Sequence, residues 1–310
     1  MAERGERGAG WARRHMLQLS GAAALMPWQA TGAVRKMSTR PIPSSGEPLP
    51  MVGVGTYRTF DVGSSGPLRA SVKEVLRRLF EAGGSMIDSS PMYGTAEAVT
   101  GDMLAELGMR DKAFIATKVW TEGRRQGAAQ MRASMEKLRT DKIDLMQVHN
   151  LVDWRTQFNT MRGWQDDGKF RYLGITHYTP GAFGRLMEVM AREKLDFLQI
   201  PYSIIVREAE DRILSFAADK GVGVIVNRPF EGGGLFGKVR GRDLPAWAAE
   251  FDCGSWAQFF LKYLLGHPAV TCVIPGTGKI DHLVDNVGAA YGRLPDGATR
   301  ARMAALVDGL

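Results

Sequence analysis

The sequence predicts a single-domain α/β fold, a closed (β/α)8 or TIM barrel of eight parallel strands. Three short apolar runs indicate it: Ser85–Asp88, Ala113–Lys118 and Ile143–His149, each ending in a polar residue and followed by a stretch with helical spacing. A repeating order of strand, loop and helix is typical of a parallel sheet. In a barrel of this kind the carboxyl ends of the strands meet at one face. We therefore expect the residues at these three ends to converge.

Further apolar runs bounded by turn residues supply the other strands. In chain order the predicted strands are Met51–Gly55, Ser85–Asp88, Ala113–Lys118, Ile143–His149, Phe170–Ile175, Phe197–Pro201, Val222–Asn227 and Val270–Ile274. The first helices are predicted over Arg69–Glu81, Thr95–Leu107, Ala128–Leu138 and Thr156–Asp167. These elements account for a whole barrel over residues 47–310, so no second domain is needed.

The first 46 residues carry a separate signal. Arg13 and Arg14 precede a modest apolar run, Met16–Met26, and small residues near Ala33 offer a cleavage site. This pattern is typical of a twin-arginine export signal, which predicts use of the twin-arginine export machinery and a periplasmic location. The alternative is an ordinary disordered basic tail on a cytoplasmic protein. The apolar run is too short for stable membrane insertion, and the proline-rich linker Pro41–Pro50 should be extended.

Charge and cysteine usage exclude other classes of protein. Seven of the Arg and Lys residues and only two Glu fall within residues 1–40, so most of the net charge of +7 belongs to that segment. Nucleic acid is therefore not expected as a partner. Cys253 and Cys272 are interpreted as packing thiols, with a disulfide as the less favoured alternative. The five histidines and two cysteines show no zinc-like spacing, so no metal is expected.

Four polar residues at the predicted strand ends suit acid catalysis on a carbonyl group. A tyrosine has a pKa of about 10, and a neighbouring ammonium lowers it, so Lys118 is expected to tune Tyr93. A buried lysine keeps its proton beside a carboxylate, which is the role predicted for Asp88. His149 can donate a hydrogen bond to a substrate oxygen or relay a proton. Together they indicate a phenolic acid beside an oxygen-binding site.

Each of these residues alone has a plainer interpretation. A lysine or aspartate at a strand end is often a solvated cap, a histidine there is often structural, and Tyr93 before Gly94 is also a common turn arrangement. The joint pattern at three consecutive strand ends favours the catalytic interpretation.

Six motifs resemble those of the aldo-keto reductase superfamily, in the family's order. They are Ile87–Gly94, Ala116–Trp120, Asp144–His149, Tyr172–Thr176, Gln199–Ser203 and Val273–Thr277. The resemblance covers nearly the whole chain from Pro50 to Asn286. It implies a (β/α)8 barrel and an NAD(P)H-dependent carbonyl reductase that converts an aldehyde or ketone to an alcohol. It also implies Tyr93 as the proton donor, supported by Asp88, Lys118 and His149.

The resemblance also assigns residues to a nicotinamide cofactor. Tyr202 matches the aromatic that stacks on the nicotinamide, and a buried aromatic without a cofactor role is the alternative. Lys279 and the first amides of the last predicted loop and helix suit a 2′-phosphate, so NADP(H) is predicted over NAD(H). The chain departs from the family at His177, where Asn is usual, and at His282, where Arg is common. The residues predicted to contact the cofactor are Thr56, Thr176, Gln199, Tyr202, Gly276, Thr277, Lys279, His282 and Asn286.

The substrate is the least specified part of the prediction. Tyr57, Trp120 and Trp154 fall on loops at the predicted catalytic end and indicate an apolar aromatic wall for a small carbonyl substrate. Two other functions are compatible with parts of the pattern. One is a cofactor-binding regulatory or structural barrel subunit with slow turnover. The other is an isomerase or aldolase with Lys118 as a Schiff base, which Asp88 disfavours by keeping that lysine protonated.

Overall fold

Eight parallel strands in chain order form the centre of the fold, which the computed structural model describes over residues 37–310. A hairpin of β1 (Thr39–Pro41) and β2 (Pro48–Pro50) precedes them. The eight strands are β3 (Val54–Gly55), β4 (Met86–Asp88), β5 (Phe114–Val119), β6 (Ile143–His149), β7 (Phe170–Thr176), β8 (Phe197–Pro201), β9 (Gly223–Asn227) and β10 (Val270–Val273). Each matches a predicted strand to within a few residues.

Backbone contacts between the first and last strands close the sheet. The bridges Val52–Val273 and Gly55–Gly276 are parallel, and the amide of Gly53 donates to the Val273 carbonyl at 2.9 Å. Gly55 is required here, because a Cβ atom on it would lie 2.9 Å from the carbonyl oxygen of Ile274. The predicted TIM barrel is confirmed.

Helices follow the strands around the outside of the barrel. They are α1 (Gly66–Glu81), α2 (Ala96–Leu107), α3 (Arg124–Lys137), α4 (Trp154–Asp166), α5 (Phe183–Arg192), α6 (Ile213–Asp219), α7 (Gly234–Lys238), α8 (Trp256–Leu265), α9 (Ile280–Gly288) and α10 (Gly297–Asp308). Three of the four predicted helix starts are late, by two to four residues. Helix α3, for example, begins at Arg124 rather than Ala128, because its first turn carries no apolar periodicity to reveal it.

The inward side chains change character along the barrel axis. On β5 they are Phe114, Ala116 and Lys118, since alternate residues of a strand face the same side. On β8 the inward side chains likewise change from the apolar Phe197 to the polar Gln199. The barrel interior is therefore apolar at the amino ends of the strands and polar at their carboxyl ends.

The hairpin covers the apolar amino end. Ile42 and Leu49 are fully buried against the rings of Phe114, Tyr172 and Phe197, which lie 5.7–6.1 Å apart by their centres. The expectation that Pro41–Pro50 forms an extended linker is wrong. Two apolar side chains in the segment gain by burial, and proline is compatible with an edge strand. The predicted boundary at residue 46 likewise places outside the barrel a segment, residues 37–46, that the structure packs onto it.

Polar contacts hold the hairpin in place. The Arg40 guanidinium donates to the carbonyl oxygens of Leu265 at 2.5 Å, His267 at 2.7 Å and Val270. Leu265 ends α8, where a helix end leaves acceptors unsatisfied, and Val270 begins β10. Arg40 therefore joins the hairpin to the connection between α8 and β10.

The predicted export signal, with Arg13 and Arg14, lies outside the described residues. Within residues 37–310 no helix is both long and apolar enough to cross a membrane. Cys253 and Cys272 are buried free thiols, which confirms their interpretation as packing residues.

Candidate active site

Four side chains meet at the open, carboxyl end of the barrel, as the sequence predicts. Asp88, Lys118 and His149 end or nearly end β4, β5 and β6, and their parallel pairing brings them side by side. Tyr93 comes from the turn after β4, where its amide donates to the Ser90 carbonyl at 3.0 Å. The Lys118 ammonium lies 5.1 Å from the centre of the Tyr93 ring, and the Tyr93 and His149 ring centres are 6.2 Å apart.

Lys118 and Asp88 form a buried ion pair. The ammonium donates to Asp88 Oδ2 at 2.7 Å and to the Ser89 carbonyl at 2.6 Å, and its side chain has no exposed surface. Burial of Lys118 opposes its charge, but Asp88 and then Tyr93 favour it, so the pKa of Lys118 is raised. A lysine held protonated in this way is unsuited to Schiff-base chemistry.

Two amides hold the carboxylate of that pair. Gln199 Nε2 donates to Asp88 Oδ1 at 2.7 Å, and Gln147 Nε2 lies 3.3 Å from the same oxygen. With Lys118 on the other oxygen, Asp88 cannot rotate without breaking hydrogen bonds in a buried place, which is costly. Asp88 is therefore a fixed anion that keeps Lys118 charged and positioned.

The pKa of Tyr93 is raised, contrary to the expectation from its neighbour. Burial favours the neutral phenol and is the largest effect, whereas the positive charge of Lys118 lowers the pKa by less. The prediction that Lys118 produces a net lowering is therefore wrong for this arrangement of side chains. Tyr93 keeps its proton at neutral pH, as a proton donor must.

His149 is neutral at neutral pH. It is 8% exposed, and burial, the charge of Lys118 and the nearby His177 lower its pKa to about 3. Its Nδ1 atom lies 3.3 Å from the hydroxyl oxygen of Ser90. A neutral imidazole donates through one nitrogen only, so His149 can donate a hydrogen bond to a substrate oxygen without adding a charge.

Some of the residues predicted to contact the cofactor surround this site. Thr176 ends β7 and donates to Gln199 Oε1 at 3.1 Å. Thr56 is buried after β3, where its hydroxyl donates to Ser89 Oγ at 2.9 Å and its amide to the Asp88 carbonyl at 2.9 Å. Thr56, Thr176 and Gln199 therefore all lie at the open end. Thr56 and Gln199 contact Asp88, and Thr176 contacts Gln199.

Tyr202 does not face this site, so its prediction as the stacking aromatic is wrong. Its ring is fully buried beside Tyr263, and its hydroxyl bonds to Glu210 and to Arg300. These partners lie on α8, α10 and the segment before α6, outside the barrel. The alternative of a buried aromatic without a cofactor role is the one that the structure supports.

Gln147 and Asn227 are site residues that were not identified from the sequence. Asn227 ends β9, and its Nδ2 donates to the His177 carbonyl at 3.2 Å and lies 3.5 Å from Gln199 Oε1. The signal available for Asn227 was the one used for the four candidate residues, a polar residue that ends an apolar strand. For Gln147 the signal was strand alternation. It lies two residues before His149, so both side chains are on the same face of β6.

The loop after β10 presents a second group of predicted residues. Gly276 and Lys279 are exposed just before α9, and the Thr277 hydroxyl accepts from the Lys279 amide at 3.0 Å. His282 is exposed on the first turn of α9, whereas Asn286 is only 3% exposed, on the buried face. An exposed lysine and free helix amides form a surface that suits an anion.

The three predicted pocket aromatics separate. Tyr57 is 55% exposed with its ring centre 5.0 Å from that of Tyr93, and Trp120 is 40% exposed directly after β5. Trp154 instead packs on Phe158 and lines a cavity of about 150 Å³ between α4 and α5. The structure therefore places Tyr57 beside Tyr93, and Trp154 at a cavity outside the barrel.

No set of three or more potential metal-ligating side chains from His, Cys, Asp and Glu comes together in residues 37–310. The site in this part of the chain is built from protein acids, bases and amides.

Residues 51–301 match the model of the Aldo/keto reductase family. The chain belongs to that family. The family prediction made from the six motifs is thereby confirmed, and with it the prediction of an NAD(P)H-dependent oxidoreductase.

Two named relatives are less than 30% identical to this chain. The chain is 28% identical to the aldo-keto reductase YhdN of Bacillus subtilis over 203 residues, 61% of this chain and 60% of YhdN. It is 27% identical to the methylglyoxal reductase YeaE of Escherichia coli over 249 residues, 77% of this chain and 84% of YeaE. The chain thus spans less than two thirds of YhdN and a larger share of YeaE.

Solved aldo/keto reductase structures share the fold. A Klebsiella pneumoniae enzyme in complex with NADP and acetate superimposes with a TM-score of 0.72 at 22% identity, over 88% of this chain and 95% of the other. The holo form of AKR11C1 from Bacillus halodurans gives 0.71 at 21% identity, over 87% and 96%. At these identities the likeness establishes the barrel.

Proposed function

We propose that this aldo/keto reductase reduces an aldehyde or ketone to the alcohol with NAD(P)H, and that Tyr93 donates the proton. The observation that carries the proposal is the buried Asp88–Lys118 pair beside a protonated Tyr93 and a neutral His149. The arrangement supplies one acid and one neutral hydrogen-bond donor where a carbonyl oxygen can approach.

The amides of the open end fit a nicotinamide. Asn227 Oδ1 is buried and has no hydrogen-bond partner within residues 37–310. An orphaned acceptor of this kind can receive an N–H from a carboxamide, and Thr176 and Gln199 lie beside it. Asn227, Thr176 and Gln199 would hold the nicotinamide through its carboxamide. When bound, a reduced nicotinamide supplies the hydride.

The chain's own residues then control the substrate oxygen. His149 orients the carbonyl by a neutral hydrogen bond, and the Tyr93 hydroxyl transfers its proton to the oxygen as negative charge develops there. Lys118 lies beside the phenolate that forms and stabilises it, while Asp88 keeps Lys118 charged. The exposed Tyr57 contributes an apolar face beside the acid for the rest of the substrate.

The activity is tested by following NADPH and NADH absorbance with a panel of aldehydes, ketones and quinones. Tyr93→Phe should lower turnover by about 100-fold to 10,000-fold, because only the acidic hydroxyl is removed. Cofactor binding, followed by intrinsic fluorescence, should be nearly unchanged. Tyr172→Phe is the matched control, since its hydroxyl bonds to Ser45 and Glu47 at the closed end of the barrel.

Two results would contradict the proposal. A Tyr93→Phe variant within about threefold of the parent would show that Tyr93 is not the acid. A parent that binds the cofactor but reduces no carbonyl would favour the regulatory or structural subunit instead.

We propose NADP(H) over NAD(H) as the cofactor, supported by Lys279 before α9 and by the NADP named with the Klebsiella structure. Lys279→Ala should weaken the binding of NADPH by roughly 10-fold and that of NADH by less, because only NADPH carries the 2′-phosphate. The exposed Lys112→Ala serves as the control, since Lys112 lies between α2 and β5 at the closed end. Equal losses of affinity for the two cofactors would show that Lys279 does not bind the 2′-phosphate.

Export to the periplasm by the twin-arginine machinery is a further proposal, supported by Arg13, Arg14 and the apolar run after them. Cell fractionation should find the parent in the periplasm, shortened near Ala33. A variant with lysine at both arginine positions should stay in the cytoplasm at full length. A full-length parent found in the cytoplasm would contradict export and leave the reductase proposal intact.

A further inference from the structure

Ser90 is a buried hydroxyl for which the proposed reaction has no stated use. It has no exposed surface and follows Asp88 by two residues. Its Oγ lies 3.3 Å from His149 Nδ1 and 3.3 Å from the Met92 amide nitrogen. Its carbonyl accepts from the Tyr93 amide at 3.0 Å, so one short turn holds both the acid and this hydroxyl.

The direction of the hydrogen bond between Ser90 and His149 follows from the protons that each group can donate. The Met92 amide can only donate, so Ser90 Oγ accepts from it and keeps its own proton to donate. Within the described residues His149 Nδ1 is the acceptor recorded at hydrogen-bond distance from that hydroxyl. If Nδ1 carried a proton, Ser90 Oγ would accept from it as well, and the buried hydroxyl proton would be left without an acceptor.

We propose that Ser90 is a positioning residue that holds neutral His149 in the tautomer with its proton on Nε2. The inference rests on the proposed function, because it assigns that Nε2–H to the substrate carbonyl oxygen. With the proton on Nδ1, the ring would turn a bare nitrogen lone pair toward the oxygen, and two acceptors repel. Ser90 therefore selects the form of His149 that can bind a carbonyl.

Nitrogen-15 NMR of the full-length parent tests the tautomer directly. The two ring nitrogens of a neutral histidine differ in chemical shift according to which one carries the proton. At pH 7 His149 should show a protonated Nε2 and an unprotonated Nδ1, and His149→Gln identifies its signals. In Ser90→Ala the two shifts should move toward each other as both tautomers become populated.

The kinetic test uses the same variant with a good carbonyl substrate. Ser90→Ala should lower kcat by roughly 2-fold to 10-fold, the range of one net hydrogen bond. Ser90→Thr keeps the hydroxyl and should recover both the parent's shifts and its rate. Ser45→Ala is the matched control, because it removes a serine hydroxyl that bonds to Tyr172 at the closed end.

The outcomes separate this inference from the proposed function. A parent with the proton on Nδ1, or a Ser90→Ala variant with unchanged shifts, would overturn the role of Ser90 even if the enzyme is active. A parent that reduces no carbonyl would overturn the reductase proposal, while the NMR result would still decide what Ser90 does.

Discussion

At its amino end the barrel is closed by packed aromatic rings and a hairpin, whereas at its carboxyl end the same strands present amides and charges. Phe114 and Lys118 lie four residues apart on β5 and face the same interior. Buried polar atoms at the carboxyl end therefore need hydrogen-bond partners, and Asp88 has them in Lys118 and Gln199. The closed end is stabilised by buried apolar area, and the open end by paired charges.

The largest expected effect comes from breaking the charge pair at the open end. Asp88→Asn leaves the Lys118 ammonium buried without its counter-charge, which should cost about 3 to 5 kcal/mol of unfolding free energy in urea titrations. Turnover should fall as well, because Lys118 no longer stays charged beside Tyr93. Replacing both partners, with Lys118→Met in addition, should restore most of the stability and none of the activity.

The control for this change lies at the other end of the barrel. Glu47 pairs with Arg171, and both side chains are about one third exposed. Glu47→Gln should cost only about 0 to 1 kcal/mol and leave turnover unchanged, since solvent screens such pairs. Equal losses of unfolding free energy for Asp88→Asn and Glu47→Gln would show that the two ends of the barrel do not differ in this way.

A smaller effect is expected where the hairpin covers the barrel. Ile42→Ala removes fully buried apolar volume and should lower the unfolding free energy by about 2 to 4 kcal/mol. The kcat should remain that of the parent, because the site lies at the opposite end. Leu68→Ala, at a position 53% exposed, should stay within about 0.5 kcal/mol of the parent. A parallel loss of kcat in Ile42→Ala would contradict the independence of the two ends.

The third prediction concerns pH. The pKa of His149 falls from 6.5 to about 3 on folding, so between these values the unfolded chain binds a proton that the folded chain does not. Stability should therefore decrease as the pH falls below 6.5. Between pH 7.5 and pH 5 the parent should lose about 2 kcal/mol more than His149→Gln. The exposed His282→Gln should follow the parent, and identical curves for parent and His149→Gln would contradict the burial effect.

Local patterns predicted the strands and the convergence of the four candidate side chains, because parallel strands bring their ends together whatever the details of packing. They did not predict the hairpin, since proline-rich composition alone does not show that Ile42 and Leu49 have an apolar surface to cover. They also gave the wrong sign for the pKa of Tyr93. A charged neighbour is visible in the sequence, whereas the burial that outweighs it depends on the whole site.

The sequence by itself determined the barrel, the family and the convergence of Asp88, Tyr93, Lys118 and His149. Alternation along each strand and the shared direction of the strands are local rules that need no knowledge of distant residues. Only the tertiary structure decided where Tyr202 and Trp154 point, and which groups neighbour His149. Tyr202 lies just past a strand end, where alternation no longer fixes its direction. Its hydroxyl turns outward because Arg300, 98 residues later in the chain, offers a partly buried partner there.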